Sequence, residues 1–159
     1  MLYCHDDILT VNEIFCRKDY SAGKNIRNIV DIGSNIGISA LYFLTRNNYS
    51  YCYLYEPVKS NIEKLKNNLN GFEDRYQLFE FAVSNQEEEV EFEIEDTGRY
   101  GRIGIKTGKS IKVQCKHIND VLTGVFEKCN FIDILKIDTE GVEIQTVLAI
   151  KGEYLKKSV

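Results

Sequence analysis

At 159 residues and 43% hydrophobic composition, the chain is long enough to bury one core and too short for several domains. A formal charge of −4 offers no basic surface for nucleic acid or an anionic membrane, and no apolar run reaches the roughly 18 residues needed to span a bilayer. Cys4, Cys16, Cys52, Cys115 and Cys129 are scattered without a CxxC pair, which speaks against a metal centre or a disulfide framework and suits unpaired thiols in a reducing cytoplasm. With no basic stretch ahead of an apolar run at the N-terminus, no signal peptide is expected.

Residues 1–27 read as a lead-in segment and 28–159 as the main domain. In the lead-in, Ile8, Val11, Ile14 and Phe15 recur at helical spacing, although Thr10 and Val11 also suit a strand. The stretch Ile29-Val30-Asp31-Ile32-Gly33-Ser34-Asn35-Ile36-Gly37 then organises the chain. A short apolar run of this kind reads as a buried parallel strand, Gly33 as a tight turn, and Ile36 to Leu44 as a buried helix. Strand, glycine turn and helix N-terminus make a cofactor cradle at the carboxyl end of a sheet. Asn35 stands where a dinucleotide fingerprint has its second glycine, the one that lets backbone approach a pyrophosphate. That substitution and the carboxylate of Asp31 disfavour a phosphate ligand and suit a cofactor that is cationic near the loop, as S-adenosylmethionine is.

Tyr51 to Tyr55 reads as the next strand, closed by Glu56, 23 positions after Gly33. An acidic residue at about 20 positions past the turn is placed to accept hydrogen bonds from ribose hydroxyls; the competing reading is a glutamate that only caps the following helix. Pro57 and Val58 offer an apolar edge for a purine. Val58, Ile62, Leu65 and Leu69 step as one face of an amphipathic helix, with Gly71 as its stop. Tyr76 to Val83 predicts a third strand, ending at Ser84.

Strict alternation follows: Val90, Phe92 and Ile94 between glutamates, then Ile111, Val113 and Cys115 between Lys112, Gln114 and Lys116. One wet face implies an antiparallel hairpin inserted at about 89–116, its acidic face beside its basic one. Between the two strands, the glycine-rich stretch 96–109 is either a substrate lid or a plain connection. Ile118 to Phe126 predicts a short helix, Phe131 to Ile137 a last apolar strand, and Val142 to Ile150 a helix. The fold class is α/β with a mostly parallel sheet. Nothing in Lys151 to Val159 would supply a further strand, so the last strand is expected to end the sheet, with the usual C-terminal strands missing and its open edge prone to self-association.

Asp31, Glu56, Ser84 and Asp138 all fall at carboxyl ends of predicted strands, where open α/β sheets bind ligands. Asp138 and Glu140 are the catalytic candidates. They would serve as general base or substrate hydrogen-bonding groups, and two carboxylates are too few to establish a metal site. Lys136, inside an apolar run, must pair with a carboxylate such as Asp138 or Glu143. His117 ends the second hairpin strand and reads as a partly exposed histidine.

Val30-Asp31-Ile32-Gly33-Ser34-Asn35-Ile36-Gly37, Tyr55-Glu56-Pro57, Ala82-Val83-Ser84 and Leu135-Lys136-Ile137-Asp138-Thr139-Glu140-Gly141-Val142-Glu143 together resemble the successive motifs of the FkbM-type methyltransferases. The resemblance implies a Rossmann-like three-layer αβα domain. It also implies S-adenosylmethionine as cofactor, held by Asp31, Gly33, Ser34, Asn35, Gly37, Glu56, Pro57, Val83 and Ser84. The acceptor it implies is a hydroxyl on a small molecule or glycan. The alternatives are a catalytically silent domain of the same fold and a dinucleotide-binding oxidoreductase.

Overall fold

Helical spacing in the lead-in yields α1 (His5–Val11), which runs on as a π-helical turn over Asn12–Arg17. The Asp7 carboxylate caps the start, accepting the N–H groups of Tyr3 and Cys4 and the Cys4 thiol. Burial alone would raise the Asp7 pKa, but those donors hold it below the usual carboxylate value. The computed structural model describes residues 1–94, 101–103, 110–139 and 141–156. Much of the glycine-rich stretch 96–109, and Glu140, lie outside the described residues.

Next come β1 (Asn28–Ile32), α2 (Ile38–Leu44), β2 (Tyr51–Tyr55), α3 (Lys59–Asn68) and β3 (Tyr76–Phe79). They are followed by β4 (Ala82–Ser84), β5 (Glu88–Ile94), β6 (Gly101–Ile103), β7 (Ser110–His117) and α4 (Ile118–Phe126). The chain then forms β8 (Ile134–Ile137), α5 (Glu143–Leu148) and α6 (Gly152–Leu155). The main sheet has the order β3-β2-β1-β8 and is parallel throughout.

Side chains alternate between its faces, as pleating requires. Ile29, Cys52 and Leu54 meet Phe43 and Leu44 of α2 and Leu65 of α3 in one core. Val30, Ile32, Tyr53 and Tyr55 meet Val121, Leu122 and Val125 of α4 in the other. Each fully buried leucine or phenylalanine in these layers contributes about 1.5–3 kcal/mol. This is a Rossmann-like arrangement, helix layer on sheet on helix layer. From β1 the chain winds outward to β3, then returns to place β8 on the other side of β1. That reversal sets the switch point, and so the ligand crevice, at the carboxyl ends of β1 and β8.

The hairpin forms as expected, β5 antiparallel to β7, with Glu91 opposite Lys112 and Lys112 Nζ 2.9 Å from Glu89. It belongs to a second sheet of order β4-β7-β5-β6. The predicted strand from Tyr76 to Val83 is corrected here, because it divides at Glu80 and Phe81. Its first half pairs with β2, whereas Ala82 to Ser84 run parallel to β7 in the other sheet. The predicted strand from Phe131 shortens to Ile134–Ile137 and ends the main sheet among the described residues.

Candidate functional site

The turn after β1 is held in a shape that few sequences permit. Gly33, Asn35 and Gly37 all have positive φ, at 77°, 47° and 82°. At Gly33 a Cβ atom would stand 1.8 Å from the carbonyl oxygen of Asp138, so no other residue fits between the tips of β1 and β8. Gly37 ends the loop as the N-cap of α2, and a Cβ there would press on Leu65. Four of the loop's N–H groups are spent inside the fold. Those of Gly33 and Ser34 donate to the Tyr55 carbonyl, that of Gly37 to the Ser34 carbonyl, and that of Asn35 to Glu56 Oε2 at 2.9 Å.

Glu56 is buried and doubly engaged, its other oxygen accepting from Val58 N at 3.0 Å and Asn61 Nδ2 at 3.3 Å. Burial pushes its carboxyl above the usual value, against the pull of these donors. It therefore ties the cofactor loop to the start of α3, as the capping alternative expected. Pro57 stands beside it, half-buried.

Asp31 lies wholly inside, opposite Lys136 across the β1–β8 pair. Lys136 Nζ is 2.9 Å from Asp31 Oδ1, donates to the Gly33 carbonyl at 2.9 Å, and stands 3.5 Å from Asp138 Oδ2. Ser39 Oγ donates to the other oxygen of Asp31 at 2.6 Å. The expected lysine partners are thus half corrected. Asp138 is a secondary one, Asp31 is the main one, and Glu143 instead accepts the N–H groups of Thr139 and Gly141. Tyr20, from the lead-in, donates to Asp138 Oδ2 at 3.2 Å.

Above this cluster opens a cavity of about 430 Å³, floored by Gly33, Ser34 and Asn35 and closed by Ser39, Lys136 and Asp138. Its remaining wall is the lead-in, with Asp7, Glu13, Asp19 and Tyr20. That wall leaves little mark in the sequence. Its only trace was the helical spacing of Ile8 to Phe15, of which Ile14 is buried. Of the predicted cofactor residues, Gly33, Ser34 and Asn35 line the cavity and Asp31, Gly37, Glu56, Pro57, Val83 and Ser84 do not; Val83 packs in the α4-side core, and Ser84 Oγ bonds Gln86 and Cys115. His117 turns out to cap α4, its Nδ1 accepting the Asn119 N–H. Among the described residues, no group of acidic, histidine or cysteine side chains is arranged to hold a metal ion, and no helix is long and apolar enough to cross a membrane.

Comparison with known proteins adds to this geometry. Residues 31–158 match the profile of the methyltransferase FkbM domain. None of the curated proteins compared matches the chain. Among solved structures, methyltransferase FkbM from Methylobacillus flagellatus KT superposes with a TM-score of 0.55 at 15% identity, over 85% of this chain and 32% of that one. The chain therefore spans about a third of that relative's length. A putative caffeoyl-CoA O-methyltransferase from Staphylococcus aureus aligns over 50% of this chain and 35% of its own, at 23% identity and a TM-score of 0.34, too slight a likeness to describe the fold.

Proposed function

The chain belongs to the FkbM methyltransferase family, and from that premise we propose that it binds S-adenosylmethionine at the β1–β8 junction and methylates a hydroxyl of a small-molecule or glycan acceptor, in the cytoplasm. The observation that carries this reading is the acidic cavity at the switch point of the sheet. Its one lysine is already neutralised by Asp31, and although Arg17 pairs with Asp19 at 3.2 Å and Glu13 at 4.0 Å, the carboxylates of Asp7, Glu13, Asp19 and Asp138 leave the lining net negative. Such a site favours a ligand bearing a sulfonium and an ammonium group. Its volume of about 430 Å³ lies within the range of small-molecule sites. The dinucleotide alternative is disfavoured because the N–H groups of Gly33, Ser34, Asn35 and Gly37 are all committed within the fold, leaving none of these four to cradle a pyrophosphate.

When bound, the cofactor supplies a methyl group already activated by its sulfonium leaving group. The protein's part is to align the acceptor and exclude water, where proximity supplies roughly 7–11 kcal/mol. In this reading Glu56 accepts from the ribose, trading part of its present bonding to Asn35, and Pro57 flanks the purine. Asp31 acts on the methionine end through Lys136 and Ser39, since both its oxygens are occupied. Asp138 takes the hydroxyl proton or orients it. Glu140, its companion in that role, lies outside the described residues.

The test is isothermal titration of S-adenosylhomocysteine and NAD into the wild type and Glu56→Ala. Wild type should bind S-adenosylhomocysteine and not NAD, and the variant should lose about tenfold or more in affinity, the worth of one charge-assisted hydrogen bond. Equal affinity in the two proteins removes Glu56 from the ribose. NAD binding without S-adenosylhomocysteine binding would instead revive the oxidoreductase.

A further inference from the structure

The family match begins at residue 31, yet a residue before it reaches the group assigned to the methyl-transfer step. We propose that Tyr20 is a positioning residue of that site, holding one oxygen of Asp138 so that the other serves the acceptor hydroxyl beside the sulfonium and its methyl. The inference rests on the methyltransferase reading above.

Tyr20 and Asp138 are separated by 118 positions in sequence, and their side chains meet at 3.2 Å. Lys136 approaches the same carboxylate oxygen at 3.5 Å, but its shorter contacts at 2.9 Å go to Asp31 and the Gly33 carbonyl. Tyr20 is therefore the closer of the two groups that restrain Asp138 Oδ2. The restraint matters because the Asp138 side chain is 49% exposed and without it is held from solvent only by the 3.5 Å contact to Lys136. Its other oxygen, Oδ1, has no hydrogen-bond partner among the described residues.

Tyr20 is itself anchored. Its ring lies 6.5 Å from that of Phe43 and 5.8 Å from the Lys136 ammonium, a cation–π approach. Burial pushes the phenol up to about 12, with the Asp138 charge adding to the rise against Lys136. The hydroxyl therefore keeps its proton at neutral pH and is the donor toward the carboxylate. A carboxylate pinned at one oxygen by a permanent donor presents the other in a fixed direction, which a reacting centre requires.

A tyrosine that merely pinned the lead-in to the sheet would leave the same contacts. The two roles separate in the preference for S-adenosylmethionine over S-adenosylhomocysteine, which differ by the methyl and the positive charge at sulfur. Dissociation constants for both compounds are measured by titration on the wild type, Tyr20→Phe, Asp138→Asn and the double variant. Asp138→Asn should cut the preference by roughly tenfold, the loss of one nearby charge interaction, and Tyr20→Phe by roughly threefold, the net worth of one hydrogen bond. The double variant should match Asp138→Asn alone, because Tyr20 acts only through that carboxylate. Three results overturn the proposal: equal losses for both compounds in Tyr20→Phe, an additive double variant, or an Asp138→Asn preference equal to wild type. A wild type that binds neither compound rejects the methyltransferase reading itself.

Discussion

Lys136 sits inside a parallel sheet because the strand beside it supplies the counter-charge. Parallel strands bury both faces, and an unpaired ammonium there would cost several kcal/mol. Register places Lys136 directly opposite Asp31, and the Gly33 carbonyl accepts a further N–H from its ammonium. Lys136→Met would leave Asp31 buried with only Ser39 to stabilise it. Urea unfolding should show a loss of about 3–5 kcal/mol, most of it recovered when Asp31→Asn is added. The pH dependence has a definite sign. Burial alone would lower the lysine, but Asp31 and then Asp138 outweigh it, so the folded pKa lies above the ordinary 10.5. A raised folded pKa gives stability that is fully present below the unfolded value and is lost as pH rises through the folded one. The gap between wild type and Lys136→Met should therefore hold at neutral pH and shrink in strongly alkaline buffer. An unchanged gap there would contradict the assignment. The sequence announced that Lys136 needs a carboxylate, but not which one, because the choice depends on strand register and no local pattern carries it.

Elements were legible where a short-range pattern decides them. The parallel strands β1 and β2 follow from short apolar runs, and the stripe of α3 and the alternating hairpin from periods of 3.6 and 2 residues. The division of β3 from β4 did not, since Tyr76 to Val83 is mostly apolar throughout and only pairing with β2 or β7 shows where one sheet yields to the other. The same limit hid Arg75. From the turn before β3 its guanidinium reaches the Leu44 and Asn47 carbonyls at 3.1 and 3.0 Å, and both Ser50 oxygens. It thus fastens the carboxyl end of α2 to the approach of β2, where a cation also complements the helix dipole. A lysine carries the charge but not the planar fork of donors. Arg75→Lys should cost about 1.5–3 kcal/mol in thermal or urea unfolding, and Arg75→Ala at least as much. A lysine variant as stable as wild type would mean that charge alone suffices.

At the scale of the whole molecule, the cavity and the open edge of the sheet lie on either side of β8. Its inner side faces β1 and the cofactor loop, while its outer side meets no strand among the described residues. Proteins commonly blunt such an edge with an outward charge, but the one charge in β8, Lys136, is turned inward to Asp31. Next in the chain, α5 exposes Ile144, Val147 and Leu148 at 73, 49 and 79%, spaced as one helical face. An unpaired apolar edge beside an apolar helix face calls for a covering element, and we propose a second copy of the chain as that element. Sedimentation velocity over a rising micromolar series should therefore give a concentration-dependent dimer. Ile144→Lys with Leu148→Glu should shift it to monomer, and S-adenosylhomocysteine binding should survive because neither residue lines the cavity. A wild-type monomer throughout the series would rule out the association. A dimer unaffected by the paired substitution would place the contact elsewhere.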